Sequence, residues 1–242
     1  MAGEISVKPR SDDIAGRIRF KGLARPAPWR GWAVVALGFL MEFLAAGAVF
    51  YSYGVFVPSF VSEFQASRTL INMAVTMVLV SSGLVSAPVG WLTDRLPLRY
   101  LALAGVVGTA AGMVLCAQAD SMAQVVWIYA TVISTADVLL GVLIINIMIA
   151  SWFERRRGLA IGLAAIGSSV SAITFPPFAA HLVGAYGWRM AFMIFAVLIM
   201  TLAPFVLWLG RAPEGGIPEW ERKRTGPRLW VTSRRHQAGL SI

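Results

Sequence analysis

Charged residues are scarce in this sequence of 242 residues. Asp, Glu, Lys and Arg together make up 14% of it, whereas 57% is hydrophobic and the mean hydropathy is +0.70. So few polar side chains cannot cover the surface of a water-soluble domain. The composition therefore excludes a soluble globular protein and predicts a membrane protein.

Cysteine is nearly absent as well. Cys116 is the single cysteine, so an intrachain disulfide is excluded, and its apolar surroundings in the sequence predict a small buried side chain. The first thirty residues also lack the early apolar core of a cleaved signal peptide. We therefore expect residues 1–30 to be retained as a basic N-terminal tail.

What the sequence has instead is six long apolar runs. Each comes close to or exceeds the roughly 20 residues that a helix needs to cross a membrane. The sequence therefore predicts an all-α membrane protein with six transmembrane helices in residues 31–209. Residues 210–242 are predicted to be a second basic tail, disordered because of its glycine and proline content. The six predicted spans cover about residues 32–58, 70–89, 100–117, 122–150, 158–183 and 190–209.

Lys and Arg are distributed unequally between the two sides that six spans create. Nineteen of the 21 basic residues fall on the side of the termini, and only Arg68 and Arg189 fall on the other. Because cytoplasmic loops collect Lys and Arg, both termini are expected in the cytoplasm, with the protein in the plasma or inner membrane. The net charge of +9 lies in tails and short loops, so the expected partner is anionic lipid and not nucleic acid.

A charged hairpin loop separates the second and third spans. Gly90 is expected to let two helix ends approach closely, and Pro97 to stop the helix. The charges of Asp94, Arg95 and Arg99 keep the turn in water. A second charged loop, at the level of the lipid headgroups, follows the fourth span and contains Arg155, Arg156 and Arg157.

Two acidic residues lie near the middle of spans, Glu42 in the first and Asp137 in the fourth. An ionised carboxylate at this depth costs at least ~2.5 kcal/mol, so such residues usually face a cavity or a partner. Both are therefore candidates to bind or relay a proton or to line a polar path. The alternative is a neutral acid that is hydrogen-bonded to a neighbouring helix.

Neutral hydrogen-bonding groups and helix breakers also lie within the spans. Tyr51, Tyr53, Asn146 and Asn72 can hydrogen-bond to a small polar solute, although tyrosines at a span end also serve as interface anchors. Gly108 and Gly112 predict close packing of the third span on another helix. Pro176-Pro177, deep in the fifth span, is explained equally well by a gating helix and by a static kink.

Several short motifs lie at the ends of the predicted spans and in the loops between them. In one-letter code they are RGW before the first span, YSYGVF at its end, EF and SR at 63–64 and 67–68, GWLTDRLPLR at 90–99, WFERRRGLAIG at 152–162 and GWRMAF at 187–192. Together these motifs resemble the bacterial monocarboxylate and oxalate/formate branch of the major facilitator superfamily. The resemblance covers roughly residues 30–210, and Pro97 departs from it because the family usually has glycine there.

This resemblance implies a carrier that moves small organic anions, often with a proton or by exchange. Such carriers work by alternating access between two six-helix halves and need no metal, cofactor or covalent chemistry. The charged hairpin loop would belong to a cytoplasmic gate that braces against the opposite half, and the arginine cluster would flank the same face. The first and fourth spans would face the central path and place along it Glu42, Tyr51, Tyr53, Asp137 and Asn146.

The family has twelve spans, whereas six are predicted here. A truncated product, a half that dimerises and a fragment that needs a separate second half all remain open. In related carriers the residue that pairs with the substrate carboxylate usually lies in the second half, and no Lys or Arg lies within the six apolar runs. The main alternative is therefore a regulatory or truncated half-transporter without transport activity of its own.

The fifth span contains serine and histidine, the residue types that a membrane serine protease uses. Such a protease requires a nucleophilic serine and a histidine base in contact. Ser168, Ser169 and His181 are of the right types, but they lie on one predicted helix, separated by roughly 20 Å along its axis. We therefore do not expect an enzyme.

Overall fold

The computed structural model describes residues 28–153 and 156–210, and all regular structure in these two stretches is helical. Two short segments have π-helical geometry, and the remaining elements are α-helices. In chain order the elements are α1 (Pro28–Ala46), a first π segment (Gly47–Tyr51), α2 (Tyr53–Phe64), α3 (Arg68–Thr93), α4 (Leu98–Ala117), α5 (Met122–Ile128), a second π segment (Tyr129–Ile133), α6 (Ser134–Leu140), α7 (Val142–Trp152), α8 (Arg157–Tyr186), α9 (Trp188–Met200) and α10 (Leu202–Leu209).

These elements join into six rods that are long and apolar enough to cross a membrane. The mean hydropathy of their most apolar 18-residue stretches lies between 1.7 and 2.6. The predicted all-α fold with six membrane-spanning helices is thereby confirmed, while the predicted tails lie almost entirely outside the described residues. We number the rods span 1 (Gly31–Phe64), span 2 (Arg68–Thr93), span 3 (Leu98–Ala117), span 4 (Met122–Trp152), span 5 (Arg157–Tyr186) and span 6 (Trp188–Leu209).

Span 1 is longer than the apolar run that predicted it. It continues through Pro58 to Phe64, so the turn before span 2 is much shorter than the predicted turn over residues 59–69. Gln65 ends the helix with a φ of 48°, the left-handed conformation that often terminates helices. Ser67 then starts span 2, because its hydroxyl accepts a hydrogen bond from a backbone amide of the first turn.

Span 5 is a continuous helix that passes through Pro176 and Pro177 without a break. It buries a single stripe of residues at intervals of three or four, from Ala160 to Leu182. Ser168 and His181 therefore lie on the same helix, as expected, and do not meet as a serine protease requires.

Spans 1 and 5 pack with their backbones in contact. A Cβ at Gly167 of span 5 would overlap the carbonyl oxygen of Phe39, and one at Gly47 of span 1 would overlap the ring of Phe175. Small residues allow this kind of approach between membrane helices. Spans 1 and 5 are therefore the most closely packed pair of helices in the described bundle.

Spans 3 and 4 form a second close pair. A Cβ at Gly108 would lie 2.9 Å from the Cβ of Ala136, and one at Gly112 would lie 2.6 Å from Cγ1 of Ile133. The close packing predicted from these two glycines is confirmed. Gly105, one turn earlier, lies directly against the backbone of Leu140.

Other glycines have no neighbour in the described bundle. A Cβ at Gly90, Gly158 or Gly162 would meet nothing within 4 Å. The prediction that Gly90 brings two helix ends together is therefore wrong for the described residues. Gly90 lies within α3, near its end, where no other described span lies within reach of an added Cβ.

The bundle has two distinct ends. At one, which we call the Arg-rich end, the ring of Trp32 packs edge-on against Phe153, and Gly210 lies against Arg99. This end joins the beginnings of spans 1 and 3 to the ends of spans 4 and 6. At the opposite end, which we call the Glu63 end, span 1 meets the start of span 6 through Phe60 and Trp188, whose ring centroids are 5.1 Å apart.

Candidate functional site

The two acids of the membrane interior lie on helices of spans 1 and 4 that contact each other. Glu42 on α1 is buried, with 9% of its surface exposed, and Asp137 on α6 is half-buried. Within the described residues neither carboxylate accepts a hydrogen bond or pairs with a cation. A proton shared at this site would relieve the repulsion between them.

Both spans that carry an acid depart from α-helical geometry next to it. The first π segment begins shortly after Glu42, and the second ends one turn before Asp137. Ser52 closes the first by donating its hydroxyl proton to the carbonyl of Gly47 at 2.8 Å. Such π segments are rare inside α-helices and frequently occur at functional sites. Sequence reasoning missed both.

Span 4 has a further interruption at Gly141. Its backbone is extended and separates α6 from α7, while its N–H donates to the carbonyl of Asp137 at 2.7 Å. A Cβ at this position would lie 2.7 Å from the same oxygen. Gly141 was the sequence signal for this break, because only glycine leaves room for the Asp137 carbonyl.

The predicted polar residues of the path have different surroundings. Tyr51 is 40% exposed, whereas Tyr53 is buried, and its hydroxyl donates to the carbonyl of Ile71 at 2.5 Å. The ring of Tyr53 packs edge-on against Tyr129, with the centroids 5.2 Å apart, so Tyr53 connects spans 1, 2 and 4. Asn146 is half-buried, and its side chain forms no hydrogen bond in the described part of the chain.

The charged hairpin loop connects spans 2 and 3 at the Arg-rich end. Asp94 is exposed and has no ion-pair partner among the described residues. The guanidinium of Arg95 lies 3.7 Å from the ring centroid of Trp91, and Arg99 donates to the Tyr100 hydroxyl at 2.9 Å. The described bundle thus leaves the charges of Asp94 and Arg95 available to a partner outside it.

The second charged loop closes the end of span 4. Arg157 donates to the carbonyls of Phe153 and Ala150, at 3.1 Å each, and so satisfies groups that the helix end leaves unpaired. Arg156 is exposed at the start of α8. Arg155 lies outside the described residues.

A clamp that sequence reasoning missed joins three spans at the Glu63 end. The carboxylate of Glu63 accepts hydrogen bonds from the indole N–H of Trp188 and from the guanidinium of Arg189. Arg189 also donates to the carbonyl of Ala119, just after span 3, at 3.1 Å. The sequence shows these residues only as parts of separate motifs. The sequence signal for the clamp was the presence of an acid, Glu63, and an arginine, Arg189, on the side of the membrane opposite the termini, where charged residues are few.

Comparison with known sequences adds a family to this geometry. A sequence model of the Major Facilitator Superfamily matches residues 35–240. Monocarboxylate transporter 13 of Bos taurus is 29% identical over 173 residues, which cover 71% of this chain and 40% of the relative. Monocarboxylate transporter 3 of Rattus norvegicus is 30% identical over 183 residues, covering 74% of this chain and 36% of the relative.

A third relative is named for a different substrate. A riboflavin transporter of Trypanosoma brucei brucei is 26% identical over 174 residues, covering 69% of this chain and 31% of the relative. The chain therefore spans between 31% and 40% of the length of these three curated relatives.

Proposed function

Because the chain belongs to the Major Facilitator Superfamily of membrane transporters, we propose that it moves a small organic anion of the monocarboxylate type across a membrane. Membership of this family supports a multi-pass membrane protein and points to a transporter rather than an enzyme. Several relatives are named as monocarboxylate transporters, which supports the anion. Because another relative is named a riboflavin transporter, the identity of the substrate is the part of the proposal that most needs a flux measurement.

Proton coupling is the part of the mechanism that the acid pair supports. Glu42 and Asp137 lie on the contacting helices α1 and α6 of the two spans that contain π segments, and neither pairs with a cation among the described residues. A proton bound there would compensate one negative charge inside the bundle, and its release would restore the repulsion. This pair is the single observation on which the proposal of proton-coupled transport rests.

Alternating access requires a second six-helix half. The largely exposed apolar surfaces of spans 2 and 5 support the presence of such a half. Only 17% of the most apolar 18-residue stretch of span 2 and 28% of that of span 5 are buried in the described bundle, against 56% in spans 1 and 3. The unpaired charges of Asp94 and Arg95 would contact that half as a cytoplasmic gate. The second half is either a further copy of this chain or a separate polypeptide.

The proposed orientation puts the Arg-rich end and both termini in the cytoplasm. The charged loops after spans 2 and 4 contain most of the loop arginines and would face anionic headgroups there. We propose the plasma or inner membrane as the location. Arg68 and Arg189 would then lie on the outer side.

Uptake into proteoliposomes tests this function directly. We expect the purified chain to accumulate radiolabelled butyrate when an inward proton gradient is imposed, and Asp137→Asn to reduce this uptake by about tenfold or more. Asp120→Asn is the matched control, because it makes the same chemical change in an exposed turn. Equal uptake by the wild type and Asp137→Asn would remove Asp137 from the coupling mechanism.

A half-transporter without activity of its own is the second candidate function. It is favoured by the absence of Lys and Arg from the interior of the described spans. This alternative predicts no butyrate flux above that of empty liposomes. Butyrate flux by the purified chain alone would contradict it.

A further inference from the structure

A cavity of about 500 Å³ lies between the end of span 1 and the start of span 2, at the Glu63 end. Its volume is in the range of pockets that bind small molecules. α2 contributes three apolar side chains and a hydroxyl group to its lining, and α3 contributes a guanidinium and a carboxamide. The lining residues are Val57, Pro58, Val61, Ser62, Arg68 and Asn72.

The cation of this cavity is unpaired in the described bundle. Arg68 is exposed and has no ion-pair partner among the described residues. The nearest acid in sequence, Glu63, is already engaged by Trp188 and Arg189 in the clamp. The clamp therefore neutralises an acid that would otherwise compete for Arg68.

Local backbone geometry adds to the attraction for an anion. Arg68 is the first residue of the 26-residue helix α3, whose N-terminus carries the positive end of the helix dipole. The guanidinium presents several donors in a planar fork that matches a carboxylate. Asn72, one turn further along the same face, can donate a further hydrogen bond from its amide.

The cavity also continues the exposed face of span 1 on which the candidate path residue Tyr51 lies. Gly54, Pro58 and Ser62 follow Tyr51 at intervals of three or four residues, and all four are exposed. Pro58 and Ser62 line the cavity itself. An anion bound in the cavity would thus lie at one end of a continuous exposed strip that leads to the first π segment.

We propose that this cavity is an outer recognition site for small carboxylates with a short apolar tail. Arg68 and Asn72 bind the carboxylate, and Val57, Pro58 and Val61 contact the tail. The inference deepens the proposed function and rests on it, because it names the residues that select a monocarboxylate before transport. It also supplies the cation that the interior of the described spans lacks.

The test is binding and uptake of radiolabelled butyrate by the full-length chain, in lipid nanodiscs and in proteoliposomes. We expect Arg68→Gln to raise the Kd and the KM for butyrate by about tenfold or more, since a hydrogen bond to a charged group is lost, with little change in maximal rate. Arg68→Lys, which keeps the charge, should retain part of the affinity. Arg222→Gln removes one charge from the C-terminal basic segment and should leave both constants unchanged.

Competition distinguishes the carboxylate from the tail. Unlabelled butyrate should displace the probe, whereas butyramide, which has the same tail and no charge, should not. Displacement by butyramide as effective as that by butyrate would overturn the proposed carboxylate recognition. Unchanged melting temperatures of the variants in the nanodisc show that they are folded.

The remaining outcomes separate this inference from the proposed function. Butyrate transport that Arg68→Gln leaves unaltered overturns the recognition site and leaves anion transport standing. Butyrate binding that depends on Arg68, without any flux, supports the site and contradicts transport by this chain alone. Absence of both binding and flux in the wild type overturns both.

Discussion

At the scale of single residues, Tyr51 and Tyr53 differ in what surrounds their hydroxyl groups. Tyr51 is exposed, whereas the hydroxyl of Tyr53 donates to the carbonyl of Ile71 inside the bundle. We expect Tyr53→Phe to lower the free energy of unfolding by about 1 kcal/mol, the usual net value of a hydrogen bond, and to leave butyrate uptake per folded molecule unchanged. Tyr51→Phe should do the opposite, lowering uptake while leaving stability unchanged.

Thermal melting in detergent and uptake in proteoliposomes measure these two effects separately. Each tyrosine variant is the control for the other, because both make the same chemical change two positions apart. A loss of uptake in Tyr53→Phe without a loss of stability would place its hydroxyl in the path and contradict a role confined to packing.

The sequence could not distinguish these two tyrosines. Both lie near the end of an apolar run, and an α-helical extrapolation from Glu42 passes through the first π segment. One extra residue in a helical turn rotates every following side chain by about 100°, so a regular helix extended from Glu42 would not give the faces on which Tyr51 and Tyr53 lie. The acids Glu42 and Asp137 lie outside the π segments and were recognisable from their mid-span positions alone.

At the scale of helices, glycines with and without neighbours give a direct test of the packing. Gly167 lies against the backbone of Phe39 in span 1, whereas Gly162, on the same helix, has open space around it. We expect Gly167→Ala to destabilise the protein by about 1–3 kcal/mol, because the added methyl group would force spans 1 and 5 apart. Gly162→Ala should keep or slightly raise stability, since alanine is the better helix former.

Thermal unfolding of the purified variants, followed by tryptophan fluorescence, provides the measurement. Because both variants add one methyl group to α8, their difference isolates the contact with span 1 from any change in helix propensity. Equal melting temperatures for Gly162→Ala and Gly167→Ala would mean that the backbones of spans 1 and 5 are not in contact at Gly167.

Helix number and composition were predictable from the sequence, but the partners of each helix were not. The six apolar runs identified the spans because lipid requires long uninterrupted helices. A glycine in such a run shows only that close approach is possible. Gly108 and Gly112 have partners in span 4, whereas Gly90 has none in the described bundle, and that difference depends on the arrangement of all the helices.

At the scale of the whole molecule, the proposed orientation in the membrane rests on the unequal distribution of arginine. A reporter cysteine placed at each end of the bundle tests it, because Cys116 is buried and should contribute only background labelling. We expect a membrane-impermeant maleimide to label Gln118→Cys in intact cells. Leu96→Cys, in the charged hairpin loop, should react only after the cells are lysed.

The two cysteine variants check each other, since both positions are exposed turns between spans. Labelling of Leu96→Cys in intact cells, with protection of Gln118→Cys, would invert the proposed orientation. Labelling of both would show that the spans do not form the six-helix arrangement across one bilayer.

The Glu63 clamp also determines when during biosynthesis the bundle can be completed. Glu63 and Arg189 are separated by 126 positions in the chain, so the ribosome must synthesise five spans before the arginine that Glu63 needs is made. Until then the carboxylate of Glu63 and the rings of Phe60 and Phe64 lack the partners that Trp188 and Arg189 provide. The contacts between the end of span 1 and the start of span 6 are therefore among the last long-range contacts of the described bundle that synthesis of the chain permits.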